Sequence, residues 1–244
     1  MSDAHPDTST PVDPLKQLGR WMRTQRTPLV VAGTFVYLPT LLLLVGTGIF
    51  VMATNAHITF FLRDAKAVYD IPFHAGALSS IGILFWCGAA TVCLFASLVL
   101  YETVAASEKR QFLLNAGLLT SILMFDDLFL LHEDFAPNYL GLPGDSLYVL
   151  YAVLAASLLL YHRHVIVRSA YVLLLLSGAF LAGSIWFEVL HEYGLLLAGA
   201  ESRGLQHFLE DGSKLLGIAG WFSYLGWTSY TSLVHSHAAE MTAR

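Results

Sequence analysis

Apolar residues run along this chain in long blocks separated by short polar stretches. A membrane-spanning helix needs about 20 consecutive apolar residues. Six blocks approach that length, at 28–53, 77–101, 112–132, 147–162, 171–193 and from about 207 to 235. The loop between the first two carries Arg63, Lys66, Asp70 and His74, and the turn-rich PNYLGLPGDS precedes the fourth. The pattern predicts an all-α integral membrane protein, a six-helix transmembrane bundle over 28–235. Residues 1–27 are polar and start rich in Pro, Ser and Thr, too long and too polar for a signal-peptide n-region. They are expected to form a disordered cytoplasmic tail ending in an amphipathic piece (Leu15, Leu18, Trp21, Met22), with a second cytoplasmic tail at 236–244.

Composition supports that class. The chain is 56% hydrophobic and 13% charged, with a mean hydropathy of +0.61, whereas a soluble domain carries about 25% charged residues. The formal charge of −5 and the lack of a basic patch with interleaved aromatics exclude nucleic acid as the expected partner. Cys87 and Cys93 share one apolar block without a C-x-x-C spacing, which argues against a disulfide or zinc knuckle.

Lysine and arginine set the expected orientation. With the N-terminus cytoplasmic, the inner segments hold Lys16, Arg20, Arg23, Arg26, Lys109, Arg110, Arg163, Arg168 and Arg244. The outer segments hold only Arg63, Lys66 and Arg203. Both termini are therefore expected inside, in a bacterial inner (plasma) membrane.

Ionisable residues then gather at the outer ends of the third, fifth and sixth helices. Asp126, Asp127, His132, Glu133 and Asp134 lie on the third, Glu188, His191 and Glu192 on the fifth, and His207, Glu210 and Asp211 on the sixth. They include eight of the eighteen carboxylates and three of the ten histidines. Spacings of three, four and seven put Ser184, Glu188, His191 and Glu192 on one helix face, and His207, Glu210, Asp211 and Lys214 on another. The two stripes mirror one another, Glu-x-x-His going up and His-x-x-Glu coming down. In an antiparallel pair His191 and His207 share one level, with Glu188 and Glu210 a turn deeper. Asp126 and Asp127 lie about 9 Å deeper than His132 at 1.5 Å per residue, level with Lys214, which predicts an ion pair of Lys214 with one of them.

Charged groups inside a membrane are costly and mark function or tight pairing. Glu-x-x-His from two helices plus further carboxylates is how bundles hold dinuclear iron or manganese. Asp126, His132, Glu133, Glu188, His191, His207 and Glu210 are accordingly the candidate metal ligands, with Asp127, Glu192 and Lys214 as catalytic groups. One motif is reversed and a fourth-helix Glu is missing, a departure from the soluble pattern. Nitrogen and oxygen donors suit iron, manganese or zinc.

Singly, a histidine at a helix end is more often an interfacial cap than a ligand; three helices presenting His with carboxylate at one depth is the stronger signal. Asp134, Glu192 and Asp211 also read as solvated or helix-start charges, and His57, His74, His162, His164, His235 and His237 receive no role. The primary expectation is a metalloenzyme that oxidises a lipid or other apolar substrate, its site facing outward. A zinc-dependent hydrolase with Glu192 as general base is one alternative. A proton- or cation-coupled transporter using the same carboxylates and Lys214 is another, although the helices lack the internal breaks that transporters favour. Phe125, Phe129, Trp186, Phe187 and Phe208 would wall an apolar entry. No GxGxxG, P-loop, GxSxG or HExxH occurs.

Overall fold

The computed structural model describes residues 26, 28–62, 66, 69–72, 74–102, 107–143, 145–192 and 200–242. The expected N-terminal tail, Arg26 apart, lies outside them. The chain divides into two compact units, Met1–Ala75 and Gly76–Arg244. Among the described residues all regular structure is helical.

The first unit carries α1, Leu38–Thr54, entered through a π-helical turn at Gly33–Tyr37. Pro39 explains that turn, since its ring has no N–H to give and crowds the preceding helix, and the wider turn absorbs the mismatch. Asn55, with φ of +54°, stops α1. Leu41 to Leu44 are all exposed, a face suited to lipid rather than water.

The second unit is a helix bundle: α2 (Ala77–Val99), α3 (Ser107–Phe129), α4 (Asp145–Tyr161), α5 (Tyr171–Glu192) and α6 (Ala200–Thr242). Among the described residues three helices are long and apolar enough to cross a membrane, Ala77–Val99, Ser107–Phe129 and Tyr171–Leu190; Leu38–Thr54 and Ser146–Tyr161 are apolar but shorter. Their outer faces stay apolar and exposed, as at Leu84, Phe95, Leu98, Leu175 and Leu176.

With lipid as apolar as leucine, helices in such a bundle are held by close packing and buried polar contacts. Gly217 of α6 sits so near α5 that a Cβ there would fall 2.6 Å from Leu181 Cγ. A Cβ on Gly220 would fall 3.0 Å from Ser177 Cβ, and Ser177 Oγ donates to the Gly217 carbonyl at 2.7 Å. Position 217 thus faces 181 and 220 faces 177, so α5 and α6 run antiparallel, and the same register brings Glu210 level with Glu188. On the other side of α6, Trp86 of α2 meets Trp221 edge-on, and Trp221 Nε1 donates to Thr120 Oγ1 of α3 at 3.0 Å.

The third helix departs from expectation. It does not continue to His132: α3 ends at Phe129, Leu130 takes a left-handed conformation (φ +51°, ψ +45°), and the chain resumes as a wide helical segment, Leu131–Leu140. Pro137 lies within that segment, and Gly141, with φ of +64°, terminates it. Asp126 and Glu133 therefore do not share the one continuous helix face that their seven-residue spacing suggested.

Candidate functional site

The break at Leu130 folds the following residues back over the end of α3. Asp126 Oδ1 accepts the His132 backbone N–H at 3.0 Å, and His132 Nδ1 lies 2.5 Å from Asp126 Oδ2. Tyr151 of α4 donates its hydroxyl to Asp126 Oδ1 at 2.9 Å. Both oxygens of a carboxylate that is only 4% exposed are thus engaged, as a buried carboxylate requires.

The other ring nitrogen is different. His132 is 4% exposed, and its Nε2 is buried without a hydrogen bond, the Glu133 carboxylate standing 3.4 Å away. Tyr148 packs its ring 4.7 Å from the imidazole and donates its hydroxyl to Glu188 at 3.0 and 3.1 Å from the two oxygens. The histidine is thereby tied to α3 through Asp126 and to α5 through Tyr148 and Glu188.

Asp127 makes a second centre. Lys214 Nζ lies 2.8 Å from its Oδ1, and Trp86 Nε1 donates to Oδ2 at 2.8 Å. Of the two neighbouring aspartates, Asp127 takes the lysine and Asp126 the histidine. Side chains at successive helix positions point about 100° apart, which separates the two partners.

Electrostatically, His132 and Glu133 form a pair beyond the end of α3. Burial alone would lower the imidazole pKa; hydrogen bonding and charge from Asp126 and Glu133 outweigh it and raise it to about 9. The Glu133 carboxyl is held below its ordinary range by its close contact with the His132 imidazole, with burial opposing and the charges of His132 and Lys214 assisting.

These groups line one cavity of about 280 Å³. Asp126, Asp127, His132, Glu133, Glu188, Glu210, Asp211 and Lys214 all face it, with Ser184, Tyr148, Tyr151 and Trp86. Leu123, Ala152, Ala155, Leu181 and Ile185 supply an apolar wall. Six carboxylates therefore share a small space with one lysine and one histidine. His207 is exposed and does not line it. The side chains of His191 and Glu192 lie outside the described residues. Among the described residues no three His, Cys, Asp or Glu side chains converge as a metal-binding group.

Reading the sequence had missed Trp86, Tyr148 and Tyr151, the donors that hold the carboxylates in place. Tyr148 and Tyr151 are three apart on α4, so they share a face; that spacing was the available signal. His162, left without a role, is 5% exposed, and its Nε2 lies 3.0 Å from the Asn115 side-chain nitrogen, away from the cavity.

The family described as "Domain of unknown function (DUF8692)" matches residues 29–228. No curated protein and no solved structure matches the chain.

Proposed function

The chain belongs to that DUF8692 family, whose description assigns no activity, and from the cavity itself we propose a membrane-embedded, metal-dependent enzyme acting on a lipid or other apolar substrate. The observation that carries the proposal is His132: Nδ1 is held by a carboxylate, and the buried Nε2, without a hydrogen bond of good geometry, has only a 3.4 Å contact with Glu133 in a cavity crowded with acidic groups. A carboxylate on one imidazole nitrogen orients the ring, and a metal displacing the Nε2 proton would meet a lone pair aimed into the cavity, the arrangement by which metal-binding histidines are oriented. Buried charges are paired or coordinate metals, and six carboxylates against one lysine and one histidine leave room for a further cation.

In this reading His132, Glu133, Glu188 and Glu210 would hold the metal; the side chain of His191, also expected as a ligand, lies outside the described residues. Asp126, first taken as a ligand, becomes the orienting group, because both its oxygens already serve His132 and Tyr151. Asp127 and Lys214 neutralise one another at the Trp86 side of the cavity, a positioning role in place of direct chemistry. Tyr148 fixes Glu188, and the apolar wall excludes water while accepting hydrocarbon. Histidine with several carboxylates inside a helix bundle is the donor set of dinuclear iron and manganese bundles, so oxidation of the substrate is favoured over hydrolysis. Bound there, the metal would supply the redox chemistry, or with zinc the activation of water.

The six apolar blocks of the sequence and the lysine and arginine distribution favour six spans, with both termini cytoplasmic and the cavity at the outer face of a bacterial inner membrane. One feature favours transport instead, the Asp127–Lys214 pair inside the cavity. The two are separated by turnover. Iron- or manganese-loaded protein is incubated with a membrane-lipid extract under air, and the lipids are read by mass spectrometry. A product oxidised by the wild type and not by Glu188→Gln supports the oxidoreductase. Hydrolytic fragments formed only after zinc loading point to the hydrolase. No lipid turnover, with proton flux in liposomes that Lys214→Met abolishes, contradicts both.

A further inference from the structure

A second cavity, of about 330 Å³, lies at the other end of the bundle and plays no part in the acidic site. Glu108 and Lys109 from the start of α3 line it, with His164, Arg168, Ser169 and Ala170 from the connection into α5. The α6 residues Trp227, Thr228, Thr231, Ser232 and His235 close it. Eighteen positions of α3 separate Lys109 from Asp127, about 27 Å at helical rise, which is close to the thickness of a bilayer core.

We propose that this cavity binds the phosphate group of an anionic ligand, such as a phospholipid headgroup. Four observations converge on it. The lining carries Lys109 and Arg168 with two histidines, against the single carboxylate Glu108, so its charge is the reverse of the acidic cavity. Lys109 and Arg168 make no ion pair among the described residues. The cavity also lies where α3 begins, a helix end whose first amide hydrogens have no partner within the helix and which favours anions. Deep in the lining, Thr228 is 3% exposed, and its Oγ1 makes no hydrogen bond of good geometry, only a contact with the Tyr224 hydroxyl, so it can turn to a ligand oxygen. The neighbouring hydroxyls are spoken for: Ser169 Oγ lies 3.0 Å from Tyr224 Oη, Thr231 Oγ1 donates to the carbonyls of Trp227 and Thr228, and His235 Nδ1 meets the Thr231 carbonyl. Trp227 is half-exposed beside Tyr230, an amphipathic pair of the kind found at headgroup level. That flank gives a lipid glycerol backbone and acyl chains a place that free phosphate would not use.

The test uses the full-length protein in detergent, with retained lipid read by native mass spectrometry after adding phosphatidylglycerol or phosphatidylcholine. Inorganic phosphate is titrated in parallel against the thermal unfolding midpoint. The wild type is expected to retain phosphatidylglycerol over phosphatidylcholine. Lys109→Gln and Arg168→Gln, both at exposed positions, each weaken retention by about fivefold. Glu108→Gln strengthens it, and Thr228→Val weakens it without removing a charge. A rise in midpoint with inorganic phosphate that both variants lose, without any lipid preference, keeps the anion site and makes free phosphate its ligand. Equal retention of the two lipids by the wild type and by both lysine and arginine variants, with no phosphate response, overturns the proposal. Glu188→Gln in the acidic cavity keeps the preference for phosphatidylglycerol over phosphatidylcholine and the phosphate-induced rise in midpoint, so the two sites fail or stand separately.

Discussion

His132 Nδ1 lies 2.5 Å from Asp126 Oδ2 across a chain break that a single left-handed residue, Leu130, creates. The contact is between neighbours in sequence, yet no continuous helix would make it, because residues six apart point to different faces. Asp126→Asn keeps the shape and removes the charge that fixes the imidazole. Metal affinity should fall about 10- to 100-fold, read by competition with a chromogenic chelator. An unchanged affinity would show that the pair does not orient a ligand.

Leu130 itself offers a backbone test. An L-residue in the left-handed region costs about 1–2 kcal/mol, a cost that glycine escapes and a β-branched residue worsens. Leu130 is about half-exposed, so truncation removes little packing. Leu130→Gly should keep or raise the thermal unfolding midpoint in detergent, and Leu130→Val should lower it by a few degrees. The opposite order would mean that the break is not held in this conformation.

The Asp127–Lys214 pair predicts non-additivity. Asp127 is 12% and Lys214 37% exposed at the side chain, so removing one partner strands the other in a partly dry site. Asp127→Asn or Lys214→Met alone should cost about 2 kcal/mol, while the double variant should lose less than the sum by about 1 kcal/mol or more. Additive losses in equilibrium unfolding would exclude the coupling.

Packing between α5 and α6 rests on Gly217. Its absent side chain lets Leu181 approach, and a methyl there would meet side chain and backbone alike. Gly217→Val should destabilise by about 1–3 kcal/mol or more and disturb the level pairing of Glu188 with Glu210. A variant with wild-type unfolding and lipid turnover would place the contact elsewhere.

Much of this was legible in the chain. Long apolar blocks predict the helices, because spanning length and helical rise leave few other solutions. The mirror stripes around Glu188 and Glu210 foretell the antiparallel register, since spacings of three and four survive any rigid packing. Lys214 finds an aspartate because a buried amine needs a counter-charge. What could not be read is where a helix breaks. FDDLFLLHED reads as uninterrupted helix, and nothing in Leu130 announces a positive φ. That break reassigns Asp126 from candidate ligand to orienting group. Likewise His207 belongs to its stripe by spacing, but α6 turns it to the exposed side while Glu210 lines the cavity. The tyrosines of α4 were silent because an aromatic at an apolar face looks like packing until its hydroxyl finds a carboxylate.

The most direct test of the central claim is elemental analysis of detergent-purified protein, wild type beside His132→Gln and Glu188→Gln. The account predicts stoichiometric iron or manganese in the wild type and its loss in both variants, each still folded by circular dichroism. A folded wild type that takes up no stoichiometric metal when iron, manganese and zinc are supplied would contradict it.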